Sequence, residues 1–303
     1  MIVIVCPGQG SQTPGFLTPW LQDVEARDLL AGYSEAAGVD LEKHGTVSDA
    51  DTIRDTAVAQ PLIVAAGLLT LHALRRAGAL DKIGGIAGHS VGEITAAVGA
   101  GILTDDAAMR FVAARARYMA EAAGQASTGM SAVLGGDEAA LLERLAELGL
   151  EPANFNGGGQ IVVAGATDAL AALAAEPLRG TRVIPLQVAG AFHTRYMLAA
   201  RDALAADAAA LTPADPTLTL WSNHDGAVVT SGAEFVSSLV AQVSSPVRWD
   251  RCMESFQAAG LDGLVELAPA GALTGLAKRG LKGVASVAIK TPDDLQAALD
   301  LVS

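Results

Sequence analysis

The feature that most constrains the fold is an alternation of short β-branched runs, glycine-rich loops and alanine-rich helical stretches. Ile2–Cys6 ends in the loop 7–12, and residues 83–87 end in the segment 88–93, which opens a helix. Strands that alternate with helices predict a parallel sheet covered on both faces. Aromatic residues make up only 4% of the chain, so alanine, valine, leucine and isoleucine must fill the interior of such a buried sheet.

The middle of the chain changes character and predicts a second unit. Expected strands at 130–134, 160–164 and 182–188 alternate with expected helices at 138–148 and 168–178. This order is typical of a compact α+β unit of the ferredoxin-like kind. We therefore expect a large α/β domain with a mostly parallel sheet, formed by 1–121 and 198–303. A small ferredoxin-like subdomain at 122–197 is inserted into it.

Charge and cysteine content exclude several classes of function. The 303 residues include 20 basic and 33 acidic ones, a net charge of −13, so nucleic acid and anionic membranes are poor partners. Two cysteines, Cys6 and Cys252, are too few for a disulfide framework or a thiolate zinc site. The longest apolar run, 62–74, is shorter than the roughly 20 residues of a membrane span. Because the first six residues lack a basic leader, we expect a first strand, no signal peptide and a soluble cytoplasmic protein.

The strongest local motif is Gly-His-Ser-Val-Gly at 88–92, between an expected strand and an expected helix. A G-x-S-x-G sequence in that context predicts a nucleophile elbow, which exposes the Ser90 oxygen beside the N–H groups of a helix start. The large domain is then expected to be α/β-hydrolase-like. The alternative is a glycine-rich turn in which Ser90 only caps the helix.

A nucleophilic serine needs a base, and the chain has five histidines. His193 follows the last expected strand of the small unit, at the hinge between the two units, where a cleft could bring it to Ser90. His224 lies in a turn-forming sequence and is the second candidate. His89 adjoins Ser90, and neighbours in an elbow point apart, so it suits a supporting place beside the substrate.

Arg115 points inward on the helix predicted for 105–121, because it shares a face with Phe111, Val112 and Met119. A buried guanidinium must find a carboxylate, a phosphate or carbonyl groups. Two hypotheses remain open, a structural ion pair and a clamp for a substrate carboxylate. The loop 8–12 could contribute N–H groups to an anion site, although it matches neither a P-loop nor a dinucleotide fingerprint.

Taken together, these segments resemble the malonyl-CoA:acyl carrier protein transacylase family, the malonyl-loading enzymes of bacterial fatty acid synthesis. The resemblance spans essentially the whole chain in the expected order. The matching segments are PGQGSQ at 7–12, AQPL at 59–62, GHSVGE at 88–93, RARYM at 115–119, NFNGGGQIVVAG at 154–165, GAFH at 190–193, QVSSPVRW at 242–249 and LTGLAKR at 273–279.

The resemblance implies a role for each matching residue. Ser90 would take the malonyl group as an ester, and His193 would be its base. A main-chain carbonyl in the segment of Ser244 and Ser245 would orient the histidine, although the family usually has asparagine where Ser245 stands. The N–H groups of Gln9 and Val91 would form the oxyanion hole.

Substrate contacts follow from the same resemblance. Arg115 would hold the malonyl carboxylate in a bidentate pair, with Gln60 assisting and His89 nearby. Phe192 would narrow the pocket beside the α-carbon and favour malonyl over methylmalonyl units.

The implied reaction is ping-pong transfer from malonyl-CoA to the phosphopantetheine thiol of holo acyl carrier protein, without metal or cofactor. Since carrier protein is acidic, we expect a basic patch for it or for the coenzyme A phosphates, and the candidates are Lys278, Arg279, Lys282 and Arg195. The chain is expected to be monomeric. The alternatives are a discrete malonyl acyltransferase of a polyketide synthase, a serine esterase or thioesterase, and a non-catalytic scaffold.

Overall fold

A computed structural model describes residues 1–303 and contains ten strands. The strands are β1 (Ile2–Cys6), β2 (Gly85–Gly88), β3 (Thr128–Gly135), β4 (Glu151–Gly157), β5 (Gln160–Ala166), β6 (Thr181–Pro185), β7 (Leu220–Trp221), β8 (Val247–Arg248), β9 (Gly263–Glu266) and β10 (Ala285–Ala288). They form two five-stranded sheets, so the expected two-part α/β architecture is confirmed.

Twelve helices surround these sheets. The helices are α1 (Val24–Ala37), α2 (Leu41–Thr46), α3 (Thr56–Arg76), α4 (Gly92–Gly99), α5 (Asp105–Ala123), α6 (Glu138–Leu148), α7 (Thr167–Ala175), α8 (Leu198–Ala208), α9 (Gly232–Gln242), α10 (Trp249–Ala258), α11 (Ala272–Gly280) and α12 (Leu295–Val302). Thr104 caps α5 by accepting the Ala107 N–H, which is where the sequence predicts that helix to begin.

The larger sheet is entirely parallel, in the order β10-β9-β1-β2-β7. Val3, Ile4, Val5 and Cys6 in β1 are fully buried, as expected for a central strand covered on both faces. Cys6 at the end of β1 is in register with Gly88 at the end of β2. The loop after β1 and the turn after β2 therefore leave the sheet side by side, at the edge where parallel sheets bind ligands.

The smaller sheet has the order β6-β3-β5-β4-β8. Its first four strands with α6 and α7 give the β-α-β-β-α-β sequence of a ferredoxin-like unit. The sequence pattern did not predict β4, which pairs with β5 across a three-glycine turn at 157–159. Strand β8 comes from the later part of the chain and pairs with β4 in parallel. The large unit therefore contributes one edge strand to the smaller sheet. The boundaries at 122 and 197 stay predictions.

Helix α3 lies at the centre of the main hydrophobic core. By length and composition it could cross a membrane, but 78% of its most apolar window is buried inside the protein. Its residues Leu62, Val64 and Leu68 are no more than 1% exposed. The helix is therefore accounted for by packing in the core, as the sequence predicts for this apolar run.

Candidate active site

Ser90 occupies a tight turn between β2 and α4. Its φ of 53° is a left-handed value that few non-glycine residues adopt. The flanking glycines are required by close packing, because a Cβ on Gly88 would lie 2.0 Å from the Gly92 carbonyl carbon. A Cβ on Gly92 would lie 2.1 Å from the Cys6 oxygen. This geometry is that of a nucleophile elbow, with the serine side chain raised above the sheet edge.

Asn223, just after β7, holds this turn in place. Its Oδ1 accepts the Ser90 N–H at 2.8 Å, and its Nδ2 donates to the Gly88 carbonyl at 2.6 Å. Asn223 is completely buried. One side chain therefore satisfies two backbone groups of a strained segment that would otherwise be left without partners.

His193 meets Ser90 from the hinge between the two units, as predicted. The Ser90 Oγ lies 2.7 Å from His193 Nε2. The histidine is 4% exposed, and its own φ is 63°. Burial, with the nearby Arg115 charge, lowers the pKa of His193 to about 3. The imidazole is therefore neutral at physiological pH and ready to accept a proton.

The carbonyl that orients His193 belongs to Gln242. His193 Nδ1 donates to the Gln242 oxygen at 2.8 Å, which leaves Nε2 as the acceptor for the serine hydroxyl. This corrects the prediction of Ser244 or Ser245. The Ser245 N–H donates to the same Gln242 oxygen, and the Ser245 backbone is only a secondary hydrogen-bond partner of His193. Gln242 ends α9, and the last carbonyls of a helix have no partner within it.

Arg115 points into the site from α5 and is 1% exposed. Its Nη1 donates to Gln60 Oε1 at 2.6 Å and its Nη2 to Gln242 Oε1 at 2.9 Å. The same Nη2 lies 3.5 Å from Ser90 Oγ. Burial lowers the pKa of Arg115 to about 10, while the charge of Glu93 opposes the shift, so the guanidinium stays positive at neutral pH. A cation beside the nucleophile is suited to an acyl group that ends in a carboxylate.

Glu93 is the buried acid whose charge acts on this cation. It is 1% exposed, and burial raises its pKa to about 8 despite the charge of Arg115 and the hydrogen bond from the Asn223 N–H. Arg115 and Glu93 are joined through Gln242, whose amide oxygen accepts from Arg115 and whose amide nitrogen donates to Glu93. The Arg115 of the structure thus has amide oxygens, rather than a direct ion pair, as its partners.

A cavity of about 390 Å³ opens in front of Ser90 between the two sheets. Gln9, Val91 and Phe192 line it, together with His89. The main-chain N–H groups of Gln9 and Val91 donate to no other protein atom, so both can serve an oxyanion. His89 faces the cavity with its Nε2 2.9 Å from Asn156 Oδ1, and burial lowers its pKa.

The expected basic patch is only partly assembled. Lys278, Arg279 and Lys282 are exposed on and after α11, and Arg279 also lines the cavity. Arg195 is instead paired with Glu151 and donates to the Gly149 carbonyl at 3.0 Å. Because Glu151 offsets its charge, Arg195 contributes less to a positive surface than the three cations on and after α11.

Three residues of the site, Glu93, Asn223 and Gln242, are not predicted individually from the sequence. Glu93 and Gln242 lie within matching segments, and both are polar residues on buried helix positions. That pattern could have identified them, as it identified Arg115. Asn223 follows a two-residue strand in a turn-like sequence, where nothing local distinguishes it from a turn former.

The comparisons with known proteins agree with this architecture. A family model for the acyl transferase domain matches residues 3–293. The chain therefore belongs to the acyl transferase family.

One curated relative and two solved structures define its place within that family. The malonyl CoA-acyl carrier protein transacylase of Mycobacterium tuberculosis H37Rv is 50% identical over 304 residues, covering 99% of this chain and all of the relative. The crystal structure of MCAT from Mycobacterium tuberculosis superposes with a TM-score of 0.96 over all of both chains, also at 50% identity. A malonyl-transacylase solved in complex with its type II PKS acyl-carrier protein has a TM-score of 0.93 at 28% identity over 99% of both chains. By these likenesses the chain groups with the malonyl CoA-acyl carrier protein transacylases.

Proposed function

We propose that the protein transfers the malonyl group of malonyl-CoA to the phosphopantetheine thiol of acyl carrier protein and so supplies fatty acid elongation. One observation carries the proposal. Ser90 Oγ lies 2.7 Å from a neutral His193 and 3.5 Å from the buried Arg115 guanidinium. A nucleophile, its base and a cation for the acyl carboxylate thus converge on one oxygen.

In the first half-reaction His193 Nε2 removes the proton from Ser90 as the serine oxygen attacks the malonyl thioester. The Gln242 carbonyl stabilises the imidazolium that forms, because it accepts the Nδ1 hydrogen. The N–H groups of Gln9 and Val91 would receive the negative oxygen of the tetrahedral intermediate. His193 then returns the proton to the departing coenzyme A sulfur, leaving a malonyl-Ser90 ester.

In the second half-reaction the thiol of the carrier protein attacks this ester. His193 takes the proton from the thiol and delivers it to Ser90 Oγ when the tetrahedral intermediate collapses. The product is a malonyl thioester on the carrier protein, and the serine is regenerated. Each proton stays between Nε2 and the reacting atoms.

Selection of malonyl over acetyl groups follows from Arg115. The substrate carboxylate can accept from the guanidinium N–H groups that Gln60 and Gln242 leave free, on the side of Ser90. An acetyl group offers no such partner, so it gains nothing from the buried cation. Phe192, 6% exposed in the cavity wall, narrows the space beside the malonyl α-carbon.

The carrier protein would dock beside α11. Lys278, Arg279 and Lys282 give this otherwise acidic chain a local positive surface, and Arg279 also lines the cavity. Reversing the charges of Lys278 and Arg279 should raise the KM for carrier protein and leave self-malonylation unchanged; an unchanged KM would exclude this surface. We keep the cytoplasmic location and the monomeric state as predictions.

Intact mass spectrometry after mixing the protein with malonyl-CoA tests the proposal. A malonyl adduct should form, disappear in Ser90→Ala, and pass to holo acyl carrier protein when that is added. Acetyl-CoA should label the protein far more weakly, and equal labelling would refute the Arg115 clamp. Release of free malonate without an adduct would instead indicate a hydrolase.

A polyketide carrier protein is the second candidate acceptor, because one solved relative was captured with such a partner. Parallel kcat/KM measurements with fatty acid and polyketide carrier proteins distinguish the two. The higher value identifies the acceptor.

A further inference from the structure

Glu93 has a buried carboxyl group that touches no reacting atom but contacts Asn223 and Gln242, which hold Ser90, His193 and Arg115 in place. One of its oxygens, Oε1, accepts the Asn223 N–H at 2.6 Å. The other, Oε2, accepts from the side-chain amide of Gln242. We propose that Glu93 is a positioning residue that fixes the orientation of the Gln242 amide and, through it, the carboxylate-binding orientation of Arg115. The proposal rests on the transacylase function proposed above.

The chemistry of the groups fixes the direction of each hydrogen bond in the series from Arg115 through Gln242 to Glu93. A guanidinium can only donate, so the oxygen of the Gln242 amide must face Arg115 Nη2, at 2.9 Å. The NH₂ of the same amide must then face Glu93, where only an acceptor fits. The orientation of Gln242 is thus decided at both of its ends.

The other end of Glu93 is equally constrained. The Asn223 N–H belongs to the backbone and cannot be reversed. Asn223 is itself held by the Ser90 N–H and the Gly88 carbonyl, so Glu93 is anchored to the nucleophile turn. Its two oxygens must therefore both accept. A carboxyl group can do this, whereas an amide nitrogen has no lone pair to offer.

Glu93→Gln tests this argument with almost no change in shape. The introduced amide would keep its oxygen toward the Asn223 N–H and turn its NH₂ toward Gln242. The Gln242 amide would then have to reverse and present its own NH₂ to Arg115, which sets two donors against each other. We expect the guanidinium to leave its position 3.5 Å from Ser90 Oγ, while the elbow and His193 remain in place.

The measured quantity is the ratio of kcat/KM for self-malonylation to kcat/KM for self-acetylation, followed by intact mass. A ratio does not depend on the fraction of folded protein, so a purely structural defect would not change it. Glu93→Gln should lower the ratio at least tenfold, with self-acetylation within about threefold of the wild type. Gln242→Met, which keeps the length of the side chain and the main-chain carbonyl but removes the amide, should also lower the ratio.

Asp105→Asn is the matched control. Like Glu93→Gln, it replaces an acid by its amide. Asp105 lies on α5, the helix of Arg115, but its partners are Tyr33 and His72, away from the site. This variant should keep the wild-type ratio even if its melting temperature falls.

Both test variants must lower the ratio for the proposal to hold. If Glu93→Gln does not fold, Gln242→Met decides alone. A ratio that is unchanged or raised in either folded variant overturns the positioning role, and a raised ratio in Glu93→Gln would mean that Glu93 acts only as a counter-charge to Arg115. A wild type that forms no malonyl adduct would instead refute the proposed function.

Discussion

The burial of His193 keeps the imidazole usable as a base at low pH, but it also makes the folded protein less stable there. Because its pKa in the folded state is about 3, the imidazole stays neutral and usable as a base well below pH 6.5. In the unfolded chain the same side chain takes up a proton near pH 6.5. As the pH falls, the unfolded state therefore binds more protons than the folded state. The free energy of unfolding decreases in a pH range where catalysis is still possible.

The magnitude follows from the size of the shift. One pKa unit corresponds to about 1.4 kcal/mol, so a shift from the ordinary 6.5 to about 3 amounts to about 5 kcal/mol at full protonation. Stability from this residue is fully present above pH 6.5 and is lost progressively as the pH falls toward 3. Between pH 6.5 and 5 the loss is about 2 kcal/mol.

Urea denaturation of the wild type and of His193→Gln, at several pH values from 7.5 to 5, measures this loss. Glutamine does not titrate, so the difference between the two proteins removes the contribution of every other group. The wild type should lose about 2 kcal/mol more than the variant over this range. A pH-independent difference would refute the buried, neutral imidazole.

The rate of self-malonylation provides the second readout. With an ordinary pKa of 6.5 the neutral fraction at pH 5 would be about 3%, and the rate would fall roughly thirtyfold. With the pKa of about 3 the rate should change less than about twofold between pH 7.5 and 5. A slope of one with a midpoint near 6.5 would contradict the structure.

Three further predictions concern packing. Gly92→Ala places a Cβ 2.1 Å from the Cys6 oxygen and should cost about 3 kcal/mol or more, measured by thermal melting against Gly275→Ala, where a Cβ meets nothing within 4 Å; equal melting temperatures would contradict this. Phe192→Ser should raise the methylmalonyl-CoA to malonyl-CoA loading ratio at least tenfold, and an unchanged ratio would remove Phe192 from the selectivity model. Asp105→Ala frees the Tyr33 hydroxyl and His72 and should cost about 2 kcal/mol in urea denaturation without slowing malonyl loading; slower loading would link this cluster to the site.

Local sequence determined the elements and the residues that react. The strand Ile2–Cys6, the start of α5 at Thr104 and the elbow around Ser90 could be predicted, because periodicity, capping and glycine spacing act over a few residues. Arg115 could be recognised as buried because its helix face is apolar. The place of His193 at the hinge favours it over His224, and the structure leaves His224 exposed.

Only the tertiary structure decided how these residues are held. The carbonyl for His193 comes from Gln242, the Arg115 partners come from α3 and α9, and Glu93 reaches a residue 149 positions away. Each contact depends on which donor lies beside which acceptor when distant segments pack. Local sequence patterns do not specify these contacts, because the partners are far apart in the chain. Arg195 shows the same limit, because its pairing with Glu151 exists only once the small unit has folded.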